Sequence, residues 1–329
     1  LGRMRIICNC VKSIIITILI VVTLNFFIPR LMPGDPFMYL EGEDGHIMSN
    51  FSEGDIQRYK EYYNMDKPLL EQYIDYLKKL VKLDLGYSIY YRHEVSYLIK
   101  SRLKWTIPLV AISILLSSFL GTVLGLISAW KRGSFFDRLC YFIMIILNEI
   151  PSFLIGVLFL FTLGAKYKLF PISGGFTLYG NFVTRKEKIL DIIHHGVLPS
   201  LTLMLVSIGD YYLYARNSMI NILSKDYIKT ARAKGLKNRV IIFKHMLRNG
   251  IAPILTRIFL SFGNIVGGAV LVENVFAYPG LGKMMQSSIK TRDYPLLQGI
   301  FLVTTLTVLV TTIIGDKINQ ILDPRLKNG

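Results

Sequence analysis

Three polar side chains lie where an apolar chain has least use for them: Asn148 and Glu149 within one hydrophobic run, and Asp210 within another. A carboxylate at membrane depth is costly unless it is paired or faces a wet cavity, so all three are candidates to line a path for a polar solute. Glu149 has a second reading, as a structural partner for an Asn or Ser on a neighbouring helix. Asp210 lies close in sequence to Arg216, and a partly buried salt link between them is another use of its charge. Reaction chemistry is missing by pattern. G-x-x-x-x-G-K-[ST], H-E-x-x-H, C-x-x-C and G-x-S-x-G do not occur, so no catalytic residue is assigned and the chain has no phosphate-cradling loop of that type. His194 and His195 are adjacent, and adjacent side chains on a helix diverge, so no metal site is expected. Cys8, Cys10 and Cys140 make no even framework and read as free thiols or small hydrophobes.

A fourth group is defined by charge. Between Arg216 and Pro253 stand nine basic residues against one acid, Asp226. Ser224 is placed to cap a helix starting at Lys225, with Ile228, Ala231 and Ala233 as its small apolar face and Gly235 as its end. A second helical run is expected from Asn238 to Arg248. The plainer reading is a basic juxtamembrane loop held to anionic lipid. A fifth group, Glu273 to Gly282, reads E-N-V-F-A-Y-P-G-L-G. There Pro279 and Gly280 reverse the chain and Phe276 is available as an apolar plug.

The elements that must position these groups are long apolar runs. The chain has 329 residues, 52% of them hydrophobic, and a formal net charge of +16, with a mean hydropathy of +0.44. That combination fits a polytopic membrane protein whose basic charge meets anionic lipid, and makes nucleic acid a poor partner. The expected fold is all-α with six spans, near 11–29, 105–129, 139–165, 197–214, 251–272 and 296–322. The first run is followed by no small-residue cleavage site and reads as a retained helix. Residues 1–104 make an N-terminal region, with a large external segment after the first span, and 105–329 the core. Pro151 should kink the third span. Short basic loops put the 216–250 stretch and both termini on the cytoplasmic side, although Lys166, Lys168, Arg185, Lys186 and Lys188 in the 166–196 loop run against that rule.

Two of these stretches carry a family resemblance. D-Y-I-K-T-A-R-A-K-G-L followed by H-M-L-R-N resembles the cytoplasmic coupling loop of ABC importer permeases, in the form used by the dipeptide, oligopeptide and nickel branch. Where the general pattern has Glu-Ala-Ala, this chain has Lys229, Thr230 and Ala231, and Leu247-Arg248 replaces Leu-Pro. Both departures are shared by the peptide-type members. E-x-x-F-x-x-P-G-L-G is complete, and Pro33-Gly34-Asp35-Pro36, Asp66-Lys67-Pro68-Leu69, Asp84-Leu85-Gly86-Tyr87-Ser88, Ile150-Pro151-Ser152-Phe153 and Asp323-Pro324-Arg325 also resemble the branch.

The resemblance implies a permease subunit, not an enzyme, in a bacterial or archaeal cytoplasmic membrane. It implies a paralogous second permease, two ABC ATPase subunits that hold the ATP and Mg, and an external substrate-binding protein; no cofactor is expected in this chain itself. It assigns ATPase coupling to Asp226, Tyr227, Lys229, Thr230, Ala231, Arg232, Ala233, Lys234 and Gly235. Glu273, Phe276, Pro279, Gly280 and Gly282 become an external gate or turn. Peptide is the expected substrate, with nickel or metallophore complexes and oligosaccharides as alternatives. A secondary transporter or channel is the rival class, and it would show internal repeats with broken helices, which the two halves of this sequence lack.

Overall fold

The computed structural model describes residues 2–31, 61, 66–178, 180 and 182–322. The turns expected at Pro33-Gly34-Asp35-Pro36 and Asp323-Pro324-Arg325 lie outside the described residues. Among those residues the fold is all-α, its one extended feature being an isolated antiparallel bridge between Tyr87 and Glu94.

The helices in order are α1 (Gly2–Arg30), α2 (Leu69–Val81), α3 (Val95–Trp130), α4 (Phe135–Glu149), α5 (Ser152–Phe159), α6 (Arg185–Leu223), α7 (Asp226–Ala233), α8 (Arg248–Val275), α9 (Leu281–Lys290) and α10 (Tyr294–Leu322). π-helical turns, Leu160–Lys166 and Ile241–Leu247, extend α5 and lead into α8. Three helices are long and apolar enough to cross a membrane among the described residues, α3, α6 and Tyr294–Ile318 of α10, or four if α4 and α5 with its π turn form one bent span. At 1.5 Å per residue, the 36 residues of α3 exceed a hydrocarbon core of about 30 Å.

Where one kinked span was expected over 139–165, α4 and α5 meet at 98°. The cause is local. Proline bars the α conformation for the residue before it, and Ile150 accordingly sits at φ −78°, ψ 123°. Both long polar-loop-to-helix entries are capped: Ser134 Oγ accepts from Asp137 N at 3.3 Å and Thr184 Oγ1 from Glu187 N at 3.2 Å. Glu187 Oε2 in turn accepts from Val183 N, a variant of the reciprocal cap.

The chain divides into two compact units, Leu1–Arg102 with Met284–Thr305, and Leu103–Lys283 with Leu306–Gly329. In the first unit, Phe26 is fully buried, Tyr73 packs edge-on against it and the Arg30 guanidinium lies 3.7 Å from its ring. Thr23 and Tyr73 share a 2.7 Å hydroxyl bond that ties α1 to α2. Asp293, wholly buried, accepts from Ser88 Oγ, from Tyr90 N at 3.1 Å and from Leu296 N at 3.2 Å, and so fixes the 84–94 loop on the start of α10. Burial pushes its carboxyl above the ordinary carboxylate range.

The second unit is organised around α6, whose Tyr211 and Tyr212 are fully buried. Gly121 and Gly125 of α3 face it. A Cβ on Gly121 would stand 2.7 Å from Tyr211 Cβ, and one on Gly125 2.7 Å from Tyr212 O, so the small-residue stripe sets how closely α3 and α6 pack. In lipid such van der Waals packing, rather than release of water, drives helix association.

Candidate functional site

The basic stretch folds as an elbow between α6 and α8. Its start differs from expectation. Ser224 closes α6, donating its hydroxyl to Asn221 O at 2.8 Å, so it does not cap the next helix; Lys225 occupies that position without a side-chain cap. Asp226 fills the first turn of α7 and pairs with Lys229 at 2.8 Å, the acid at the positive end of the helix. Ile228 and Ala231 are buried in the core of the second unit, while Asp226, Tyr227, Lys229, Thr230, Arg232, Ala233, Lys234 and Gly235 are exposed. Ala233 is thus on the outer face, not the inner one.

The end of α7 is as expected, and its geometry is complete. Gly235 has φ +69°; its N–H bonds Arg232 O at 2.9 Å, and Leu236 N bonds Ala231 O at 3.2 Å. These are the two hydrogen bonds of a Schellman ending, which needs a residue that tolerates positive φ. The Arg232 guanidinium lies 5.6 Å from the Trp130 ring, a further tether. Beyond the glycine, the second run does not stop at Arg248. A single turn, Asn238–Val240, passes through the π segment straight into α8. Phe243, 63% exposed, stands out from that segment beside the charges.

Below the elbow lies a buried polar knot that sequence reasoning missed. Both oxygens of Asp137, 3% exposed, are gripped by Arg216, Nε at 2.7 Å and Nη2 at 2.9 Å. Gly133 N adds a bond at 2.9 Å, Ser128 Oγ another, and Ser128 is joined to Tyr212 Oη at 2.6 Å. Bidentate geometry with every oxygen used is what allows such a pair to be buried. The Ser134-to-Asp137 spacing signalled the cap in the sequence; its arginine, 79 residues on, was signalled by nothing local.

The three path candidates come together. Asn148, Glu149 and Asp210 line one cavity of about 440 Å³, walled by the α4–α5 break, α6 and α8. The salt link from Asp210 to Arg216 does not form, because Arg216 belongs to Asp137. Asp210 pairs with Arg257 of α8 instead, and the Arg257 guanidinium also lies 5.2 Å from the Tyr214 ring. Among the described residues, Arg257 Nε is buried without a hydrogen-bond partner. Among the described residues, Glu149 is exposed and neither hydrogen-bonded nor ion-paired, so the neighbouring-helix partner is not supplied by them.

The Glu273 turn is a buried cap. Glu273, 0% exposed, accepts from Thr106 Oγ1 at 2.6 Å, Gly282 N at 2.7 Å and Lys283 N at 3.3 Å, while Leu281 N donates to Thr106 Oγ1 at 2.8 Å. The carboxylate and the threonine therefore satisfy the first N–H groups of α9. This accounts for the motif spacing: a Cβ on Gly280 would collide with the Glu273 carboxylate, and one on Gly282 with Val270 Cα. Phe276 is not a free plug. It is 2% exposed in the core, and its carbonyl accepts from Gly174 N at 2.9 Å. Pro279 lies over Gly175, beside the Trp105 ring. The two histidines diverge, His194 Nε2 meeting Leu169 O at 3.0 Å and His195 Nδ1 meeting Asp191 O at 2.8 Å.

The site thus comprises an exposed basic helix held by Ile228, Ala231 and Arg232, a charged cavity where α4 and α5 meet, and a capped turn. Comparison with known proteins gives them a common setting. Residues 121–328 match the family described as binding-protein-dependent transport system inner membrane component. The chain is 34% identical to the oligopeptide transport system permease protein AppB of Bacillus subtilis over 305 residues, 92% of this chain and 93% of that one. It is 32% identical to the di/tripeptide transport system permease protein DppB of Pseudomonas aeruginosa, covering 94% of each. With the dipeptide transport system permease protein DppB of Escherichia coli K12 it shares 30% identity, covering 96% of each. The chain belongs to the family of inner membrane components of binding-protein-dependent transport systems.

Proposed function

We propose that this chain is one permease half of an ATP-driven importer for di- and oligopeptides. The family match and the peptide permease names of its relatives support the substrate class. In this reading the pore is completed by a paralogous permease, two ATPase subunits carry ATP and Mg, and an external binding protein delivers the peptide. Six spans, with both termini and the elbow on the cytoplasmic side, follow from the positive-inside rule and the apolar runs.

The observation that carries the reading is α7. Ile228 and Ala231 pack it into the body, Arg232 reaches the Trp130 ring, the rest of its face is exposed, and Gly235 stops it abruptly. A short rigid helix of that kind suits the transfer of force from a soluble motor. Nucleotide-driven closure of the ATPases displaces α7, and the attached α6 and α8 shift the cavity of Asn148, Glu149 and Asp210 between two accessibilities. Coupling thus falls to Asp226, Tyr227, Lys229, Thr230, Arg232, Ala233 and Lys234 on the outer face, with Ala231 as anchor. Proteoliposomes holding the chain with its permease, ATPase and binding-protein partners should take up labelled dialanine only with ATP and the binding protein present. Uptake without nucleotide would overturn the proposal.

A further inference from the structure

The first unit contains a cavity of about 360 Å³ that the transport reading does not use. Its size is that of a small-ligand pocket. Its lining is polar in an ordered way, because buried donors and exposed acids contribute separately.

The donors are Gln298, Tyr76 and Arg30. Gln298 is 8% exposed, yet among the described residues its Nε2 has no hydrogen-bond partner. Tyr76 Oη is likewise buried and unpartnered, and burial pushes its phenol up to about 12, so it keeps its proton at neutral pH. A buried donor left unmet is costly, and two beside one cavity indicate an acceptor that enters from outside. Arg30 completes the group. Of the five N–H groups of a guanidinium, three are engaged with Gln72 Oε1 and Phe26 O, and the cation rests on the Phe26 ring in a fixed orientation.

The acids are Asp84 and Glu94, both exposed. Asp84 gives one oxygen to Gly86 N at 2.9 Å and has the other to spare. Glu94 is held in place by the bridge from its backbone to Tyr87, and its side chain makes only a 3.4 Å contact with Ser96. Asp75, which also borders the cavity, is occupied by Lys67 and Lys78, and Lys79 adds a cation at the edge.

We propose that this cavity binds a small zwitterion, an amino acid or short peptide whose free carboxylate meets Arg30, Gln298 and Tyr76 and whose ammonium meets Asp84 and Glu94. Neither a lone anion nor a lone cation satisfies both sets. The site is formed by the lining of one unit alone and does not depend on how transport is driven.

The test is calorimetric titration of the full-length chain in lipid nanodiscs, without ATPase or binding protein, using alanine, dialanine, trialanine, N-acetyl-dialanine and dialanine amide. At least one free-ended compound should bind saturably, and the one that binds tightest tells amino acid from peptide. Each blocked form should bind at least tenfold more weakly than its free parent. Gln298→Leu and Arg30→Gln should each weaken binding at least tenfold, and Tyr76→Phe several-fold, with size-exclusion profile and helicity unchanged. If Arg30→Gln fails to fold, the other two variants decide. Absence of saturable binding by all three free-ended compounds overturns the site, as does equal binding of the blocked forms. ATP-driven uptake by the reconstituted importer is read separately: uptake without binding removes this site alone, and binding without uptake removes the transport reading alone.

Discussion

Asp137 is the residue on which the base of the second unit turns. It is buried, doubly bonded to Arg216 and joined through Ser128 to Tyr212, so three helices share one carboxylate. Removing one partner leaves the other charged and dry, which typically costs about 3–5 kcal/mol, more than an exposed pair by a wide margin. Asp137→Leu should therefore lower the thermal midpoint of the detergent-solubilised chain by about 4–7 °C, and the double variant Asp137→Leu/Arg216→Met should recover most of the loss. A midpoint unchanged in the single variant would count against the knot. Gly280 is equally exacting for a different reason. Any side chain there meets the Glu273 carboxylate, which is already spent on capping α9. Gly280→Ala should reduce folded yield by fluorescence-detected size exclusion, whereas Gly133→Ala, which meets no atom but sits at φ +82°, should bring only local backbone strain and a smaller loss.

At the scale of elements, what could be read in advance depended on how local the cause was. The break at Pro151 and the end of α7 at Gly235 follow from single residues, and both stand where the sequence put them. Helix positions in the apolar runs were readable for the same reason. The angle of the break was not, because it depends on what packs on either side. Ser224 was misread since its hydroxyl turns back to the helix it ends rather than on to the one that follows. Nearness in sequence makes Arg216 one possible partner for Asp210, but the pairing is decided by the packing of α6 on α8, and that brings Arg257. Phe276 looked like a plug because nothing in a turn motif says which side is core. The same distinction gives a prediction about α7. Gly235 has positive φ and no atom within 4 Å of where a Cβ would stand, so Gly235→Val brings local strain of about 1–2 kcal/mol and no clash. Insertion and thermal midpoint should stay close to the unsubstituted chain while ATP-driven peptide uptake falls at least tenfold. Retained uptake at full rate would mean that the shape of this ending does not matter to coupling.

On the scale of the whole molecule, the chain keeps its charge in two kinds of place. Among the described residues, carboxylates away from solvent are matched by a cation or by hydrogen-bond donors, as at Asp137 with Arg216 and Glu273 with Thr106 and Gly282, while the exposed face of α7 carries Lys229, Arg232 and Lys234. The cavity at the bent span is the exception. There Glu149 is exposed beside an ion pair whose arginine has an unmet N–H, an arrangement suited to a passing polar solute. Arg257→Gln leaves Asp210 without its cation. It should slow uptake at saturating peptide with the binding-protein affinity unchanged, and Arg257→Lys should restore part of the rate. If both variants transport normally, the cavity is structural. All of this depends on α7 facing a separate motor, and that can be measured directly. With Cys8, Cys10 and Cys140 replaced by Ala and a single cysteine at Arg232 or Ala233, a membrane-impermeant maleimide should label inside-out vesicles and spare right-side-out ones. The ATPase subunit should block that labelling and be captured by a short bifunctional cross-linker from the same position. Labelling from the outside, or cross-linking to the external binding protein instead of the ATPase, would contradict the account.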